Sequence, residues 1–313
     1  MSHHFESISF CGTQPGKRLI VLGGVHGNEP CGTLAIRRVV DELKSGALTI
    51  LAGSVTFVPV CNPLARAQYT RAGERNLNRK LFPTKNPQQF EDHVANWLCP
   101  LLASHDVLLD LHSFHTPGEP FAMLGPKNNQ GSLEPFEHDV EEEALARHLG
   151  VKLFVDGWLD TYANGVAQRQ VRLDKEGADV RYGVGTTEYM RSQGGYGLTL
   201  ECGQHEDAEA PAVAYRAILN TLAWLGLSGH DKPEETRGRR TLRLFEVVDK
   251  HHASDRLARE WRGFERLEAG TLIGTRHDGE EIRPTETVYI VFPNPGAEPG
   301  SEWFYLARAV ERV

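Results

Sequence analysis

A short apolar run, Leu19 to Leu22, stops at Gly23-Gly24, and Pro30 then stands where a helix would begin. The run reads as a buried strand, and proline at a first helical position is well tolerated. From Thr33 to Val40 the pattern supplies Leu34, Ile36, Val39 and Val40 to the buried side of that helix. His26 and Glu29 therefore fall in the turn after a strand. In open α/β sheets that carboxyl end is where ligands bind.

The following segments repeat the alternation. Phe5 to Phe10 reads as an edge strand, and Ser54 to Val60 as a β-rich run ending at the turn Cys61-Asn62-Pro63. Leu64 to Pro83 is polar and without clear period, and sets Arg66, Arg71, Arg75, Arg79 and Lys80 against Glu74 alone. Gln88 to Leu102 has helical spacing, with Pro100 able to end or kink it early. Asp106 to His112 is apolar enough for a central strand. Residues 115–135 read as loops around a short strand, Phe121 to Leu124. A helix over Asp139 to Leu149, a strand over Tyr196 to Glu201 and a helix over Pro211 to Leu225 follow. Strand, helix, strand in this order predicts an α/β fold with a largely parallel sheet. Ser228 to Arg240 is rich in Gly, Pro and charge and reads as a linker. The expected division is a catalytic domain over 1–228, a linker over 229–240 and a small β-rich domain over 241–313. Leu242 to Val248, Val288 to Phe292 and Trp303 to Val310 are that domain's strands.

Composition narrows the function. A formal net charge of -8 argues against general affinity for nucleic acid or anionic membrane. No apolar run approaches membrane-spanning length. The 5 cysteines lack C-x-x-C spacing and read as reduced thiols, which points to the cytoplasm.

His26 and Glu29, three positions apart on a glycine-relieved turn, can both reach one metal ion. His112, at the end of its own strand, supplies a second nitrogen. Two nitrogens and a carboxylate with an open fourth position is the hydrolytic zinc set, here one ion per chain. His115 is a rival ligand, but it lies in a Pro-Gly loop, whereas strand register fixes the direction of His112. Asp110 shares the face of His112 by strand alternation and can support a ligand from behind. Glu201 ends an apolar strand, costly for a carboxylate unless it meets a cation or does chemistry, and is the candidate base. Arg71, Asn78 and Arg79 can offer forked donors and an amide to a carboxylate or oxyanion. Arg191 is a further candidate substrate contact.

This set resembles the succinylglutamate desuccinylase/aspartoacylase family of zinc amidohydrolases. The resemblance rests on Gly24-Val-His26-Gly-Asn-Glu29, Asn62-Pro63-Leu-Ala65, Arg71 with Asn76-Leu-Asn78-Arg79, Asp110-Leu-His112, and Arg191 with Glu201-Cys-Gly203. The stretch from Ala269 to Phe292 resembles the family's small β-domain. The match implies a carboxypeptidase-like, three-layered domain with helices on both faces of a mixed sheet. It implies His26, Glu29 and His112 as zinc ligands, Glu201 as general base and Arg71 as the group polarising the scissile carbonyl. Asn78 and Arg79 would hold the substrate carboxylate, and Arg191 a second, side-chain carboxylate. The expected substrate is a small anionic N-acyl amino acid, and self-association into a homo-oligomer is left open. Two stretches depart from the family pattern. The Ser113 to Pro120 loop differs from that of the desuccinylase branch. Pro293 to Ser301 lacks the tyrosine of the aspartoacylase branch, Trp303 and Tyr305 lying farther on. Two rival readings share the ligands: a metallocarboxypeptidase acting on peptides, and a zinc-binding protein without turnover, which would have no need of Glu201.

Overall fold

The computed structural model describes residues 4–173 and 179–313. In the first third lie β1 (Ile8–Cys11), β2 (Gln14–Leu22), α1 (Pro30–Ser45), β3 (Ala52–Val58), α2 (Pro63–Gln68), α3 (Phe90–Ala103) and β4 (Val107–Phe114). The middle of the chain forms β5 (Phe121–Met123), α4 (Asp139–His148), β6 (Leu153–Asp156), α5 (Trp158–Leu173), α6 (Thr186–Ser192), β7 (Tyr196–Gln204) and α7 (Ala210–Trp224). The remainder is all strand: β8 (Arg240–Asp249), β9 (Arg256–Leu257), β10 (Glu265–Leu267), β11 (Gly274–Thr275), β12 (Glu281–Ile282), β13 (Val288–Val291) and β14 (Glu302–Val310).

Among the described residues, 11 strands join in one sheet, in the order β1-β3-β2-β4-β7-β5-β6-β8-β14-β13-β10. The run β3-β2-β4-β7 is parallel, so its carboxyl ends open at one edge. β5 runs antiparallel to β7, and β6 and β8 are again parallel partners. The sheet is thus mixed and largely parallel in its centre, as expected. β9, β11 and β12 form a separate small sheet. No helix or strand covers 229–239, but β8 beyond that stretch pairs directly with β6, so hydrogen bonding runs unbroken into the C-terminal strands.

Strand alternation explains the two cores. In β2, Leu19 and Val21 face the layer of α1, α4 and α7, with Ile36, Val39, Leu145, Ile218 and Leu222. Ile20 and Leu22 face the opposite layer of α3 and α6, with Val94, Leu98, Leu102 and Met190. Each fully buried side chain of this size contributes about 1.5–3 kcal/mol through removal from water. In β4 the same alternation sends Leu109 and Leu111 to the first layer and Leu108 to the second. Asp110 and His112 therefore share the second face with Leu108.

Three local expectations are corrected. Leu34 is 49% exposed, because the buried stripe of α1 runs through Gly32, Ala35, Ile36, Val39 and Val40 and leaves position 34 out of phase. Pro100 neither ends nor shortens α3, which continues to Ala103. The segment after Cys61, expected to be irregular, begins with α2: the Asn62 side chain accepts from the Ala65 amide and Pro63 opens the helix.

Candidate metal centre and its cavity

The turn between β2 and α1 is tied down on both sides. The Gly23 amide donates to Val58, and the amides of Cys61 and Asn62 donate back to Gly23 and Gly24. The Arg66 guanidinium donates to the Gly27 carbonyl at 3.1 Å. Gly27 itself is pressed on α2: a Cβ there would lie 2.0 Å from the carbonyl carbon and oxygen of Ala65, so only glycine fits. The turn thereby presents His26 and Glu29 at the mouth of the parallel strands, where β4 brings His112.

His26, Glu29 and His112 converge as the sequence predicts, one ligand atom from each lying within 4.8 Å of the others. All three are buried. His26 Nδ1 lies 2.8 Å from Glu29 Oε1 and His112 Nδ1 lies 2.9 Å from Glu29 Oε2. The far nitrogen of each ring meets an acceptor as well: Asn76 Oδ1 at 3.0 Å for His26 and Asp110 Oδ2 at 2.8 Å for His112. Asn76 Oδ1 also accepts the Asn78 amide, which fixes it as an acceptor. His115 lines the cavity but stands outside the converging triad.

This donor set fits a divalent cation. Burial and the nearby Arg71 lower His26 to about 4, so its ring is neutral at physiological pH. With its proton on Nε2 toward Asn76, the Nδ1 lone pair faces a carboxylate oxygen at 2.8 Å. Two acceptors so close in a buried place call for a positive charge between them. Against burial, which pulls it down, Asp110 and Glu29 carry His112 well above the usual imidazole range. Burial pushes Glu29 up, yet the two imidazoles hold it well below the ordinary carboxylate range. Each imidazole thus has an outer partner that orients it.

Glu201 sits across from His112, as its register partner on β7. It is 9% exposed, and among the described residues its Oε2 has no hydrogen-bond partner. Burial pushes it up to about 8, with Glu29 and Asp110 adding to the rise and His112 and Arg71 opposing it. A buried carboxyl that titrates near neutrality is suited to moving a proton. Arg71 reaches Glu29 Oε1 at 3.1 Å while about half of its side chain stays exposed.

The cationic loop divides into two uses. Arg75 is structural: it pairs with Asp92 and donates to the Asn76 and Arg79 carbonyls. Buried Glu91 on α3 gathers the loop by accepting from Asn62, Gly73 and Arg75. Arg71 and Arg79 reach a cavity of about 480 Å³, and every predicted site residue except Glu29 lines it. The Arg79 guanidinium lies 5.0 Å from the Trp158 ring centre and donates to the Asn78 carbonyl. Asn78 accepts from the Thr186 amide at the start of α6. Arg191 lines the cavity too, but its guanidinium is bound to Glu142, Glu134 and the Gly197 carbonyl.

Sequence reasoning missed several walls of this cavity. Trp158 and Glu188 come from helices whose first turns carried no recognised signal. Phe292, Asn294 and Tyr305 come from the C-terminal strands and the loop between them. His205, the residue that follows β7, pairs its Nδ1 with Ser113 Oγ at 2.8 Å. Its position just past the β7 motif was the available clue.

Residues 15–118 match the model of the succinylglutamate desuccinylase/aspartoacylase catalytic domain. No curated protein matches the chain. A succinylglutamate desuccinylase/aspartoacylase from Rhodobacter sphaeroides shares the fold at a TM-score of 0.71 and 19% identity, over 97% of this chain and 89% of that one. A succinylglutamate desuccinylase from Vibrio cholerae aligns at 0.70 and 19% identity, over 96% and 85%. An aspartoacylase family protein from Mesorhizobium loti aligns at 0.66 and 21% identity, over 98% and 89%. At such identity these structures speak for the fold alone, and the catalytic-domain match covers the N-terminal third of the chain. The chain thus has the fold of these structures, and its residues 15–118 resemble the succinylglutamate desuccinylase/aspartoacylase catalytic domain.

Proposed function

We propose that the protein is a zinc-dependent amidohydrolase that removes the acyl group from a small N-acyl amino acid. The observation that carries this reading is the pair of buried imidazole Nδ1 atoms turned onto the two oxygens of one carboxylate. His26, Glu29 and His112 would hold the ion, which when bound supplies a Lewis acid and lowers the pKa of water. Glu201 takes the proton from the attacking water and passes it to the departing nitrogen. Arg71, half exposed beside Glu29, donates to the oxygen on which charge develops. Asn78 and Arg79 orient the substrate carboxylate so that the amide lies over the ligands. The free cysteines suit a reducing, cytoplasmic setting.

The test pairs metal content with turnover. Glu201→Gln is expected to retain zinc, measured by elemental analysis, while hydrolysis of N-acetyl, N-succinyl and N-formyl amino acids falls about 10²–10⁴-fold. Full turnover in that variant would remove Glu201 from the reaction. Release of C-terminal residues from peptides, with the acyl amino acids untouched, would favour a carboxypeptidase instead.

A further inference from the structure

The Arg191 end of the cavity carries the wrong charge for a second substrate carboxylate. A guanidinium has five N–H groups. Here Nε donates to Glu142 Oε2 at 2.9 Å, and Nη2 donates to Glu142 Oε1 at 3.1 Å and to the Gly197 carbonyl at 2.9 Å. Nη1 donates to Glu134 Oε1 at 2.8 Å and faces Glu188 Oε1 at 3.8 Å. The side chain is 3% exposed. An incoming carboxylate would have to displace one of these partners and then sit among three like charges. Burial, with Glu188 and Glu142 adding to it, pushes Glu134 up to about 7, a sign of how crowded with negative charge this corner is.

Of the three acids only Glu188 reaches the cavity wall, and Glu302 adds a further carboxylate to that wall. Glu188 also stands beside the residue that would hold the substrate's own carboxylate. The amides of the adjacent Gly185 and Thr186 donate to Glu188 Oε2 and Asn78 Oδ1 respectively, both at 2.9 Å. A Cβ at Gly185 would lie 2.1 Å from Asn78 Oδ1 and 3.1 Å from Glu188 Oε2, so the two groups flank a single glycine. That this cavity takes a ligand is indicated independently by Glu201, which lines it nine-tenths buried and, among the described residues, with an unpartnered oxygen.

Building on the hydrolase reading, we infer that the cavity selects a substrate whose amino acid bears a short cationic side chain. Its α-carboxylate lies at Asn78 and Arg79 and its side-chain ammonium at Glu188. Arg191 is then a positioning residue, holding α6 and Glu188 against the sheet through Glu142 and Gly197, and it does not touch substrate. The substrate class becomes the N-acyl diamino acids, not the N-acyl dicarboxylic ones.

The experiment uses the full chain loaded with zinc and three free amino acids of similar length: ornithine, norvaline and glutamate. Calorimetric titration is expected to show ornithine binding at least about tenfold more tightly than norvaline, as for a charge-assisted hydrogen bond, with glutamate weakest. In Glu188→Gln the ornithine-to-norvaline ratio should collapse toward one. Tightest binding by glutamate, equal binding of all three, or binding by none would overturn the inference. If the variant does not fold, the ligand order in the unaltered protein decides alone. Turnover of the corresponding Nα-acetyl compounds separates the two proposals. Ornithine preference without hydrolysis upholds the cation subsite and removes the deacylase reading. Hydrolysis fastest on acetylglutamate does the reverse.

Discussion

Asp110 is wholly buried, and one of its oxygens receives both the His112 Nε2–H and the Thr186 hydroxyl. It anchors an imidazole that has to present its other nitrogen, so its value lies in orientation. Asp110→Asn is expected to weaken zinc affinity about 10–100-fold, read by competition with a chelator, while the fold persists. His112→Ala should abolish measurable binding, since two ligands remain. The convergence of His26, Glu29 and His112 was legible in the sequence because the first two fall in the turn after β2 and the third near the end of β4, where turn chemistry and alternation fix direction. The environment of Arg191 was not. Its partners Glu134 and Glu142 lie 57 and 49 positions away in the chain, and no local pattern marks a guanidinium as already engaged.

Helix α6 is short, and its N-terminal turn does the positioning at the cavity's far wall. Gly185→Ala would drive a methyl into Asn78 Oδ1. The expected result is a rise of about tenfold in KM with a smaller change in kcat, since carboxylate binding suffers more than the chemistry. In the C-terminal loops, Asp255 plays the corresponding structural part. It is 3% exposed and accepts from the amides of His251, His252 and His277 and from Arg276. Burial opposes the effect, but those donors hold its carboxyl far below the usual range. Asp255→Ala should cost about 3 kcal/mol at neutral pH, because several donors lose their acceptor together. A depressed folded pKa stabilises fully above the unfolded value near 4, and the gain is lost as pH falls toward the folded value. Urea melts at pH 7 and in acid should therefore show the gap between variant and unaltered protein closing in acid. Among the elements, periodic helices such as α3 and α7 were readable. Helix α2 was not, because Asn62-Pro63 serves equally as a turn and as a helix start, and one buried residue in six gives no period.

The sheet unites parts of the chain that sequence reading treats separately. Phe114, Phe121, Leu153 and Val155 pack with Leu242, Leu244, Val291 and Tyr305 in one apolar cluster. Ending the chain after residue 228 would strip β8 from β6 and leave an unpaired strand edge beside exposed apolar surface. Such a fragment should lack a sharp thermal transition, followed by circular dichroism, and should aggregate. A cooperative melt of the fragment would show that β6 needs no neighbour. The parallel centre could be foreseen from strand and helix order, whereas the antiparallel insertion of β5 beside β7 depends on loop paths that carry no periodic signal. Because Phe292, Asn294 and Tyr305 wall the cavity from the far side of that seam, the molecule keeps its reactive machinery and its measuring gauge on different stretches of polypeptide. Exchanging the hairpin of β13 and β14 for another would recut the mould of the cavity, while leaving the corner where His26, Glu29 and His112 meet as it was.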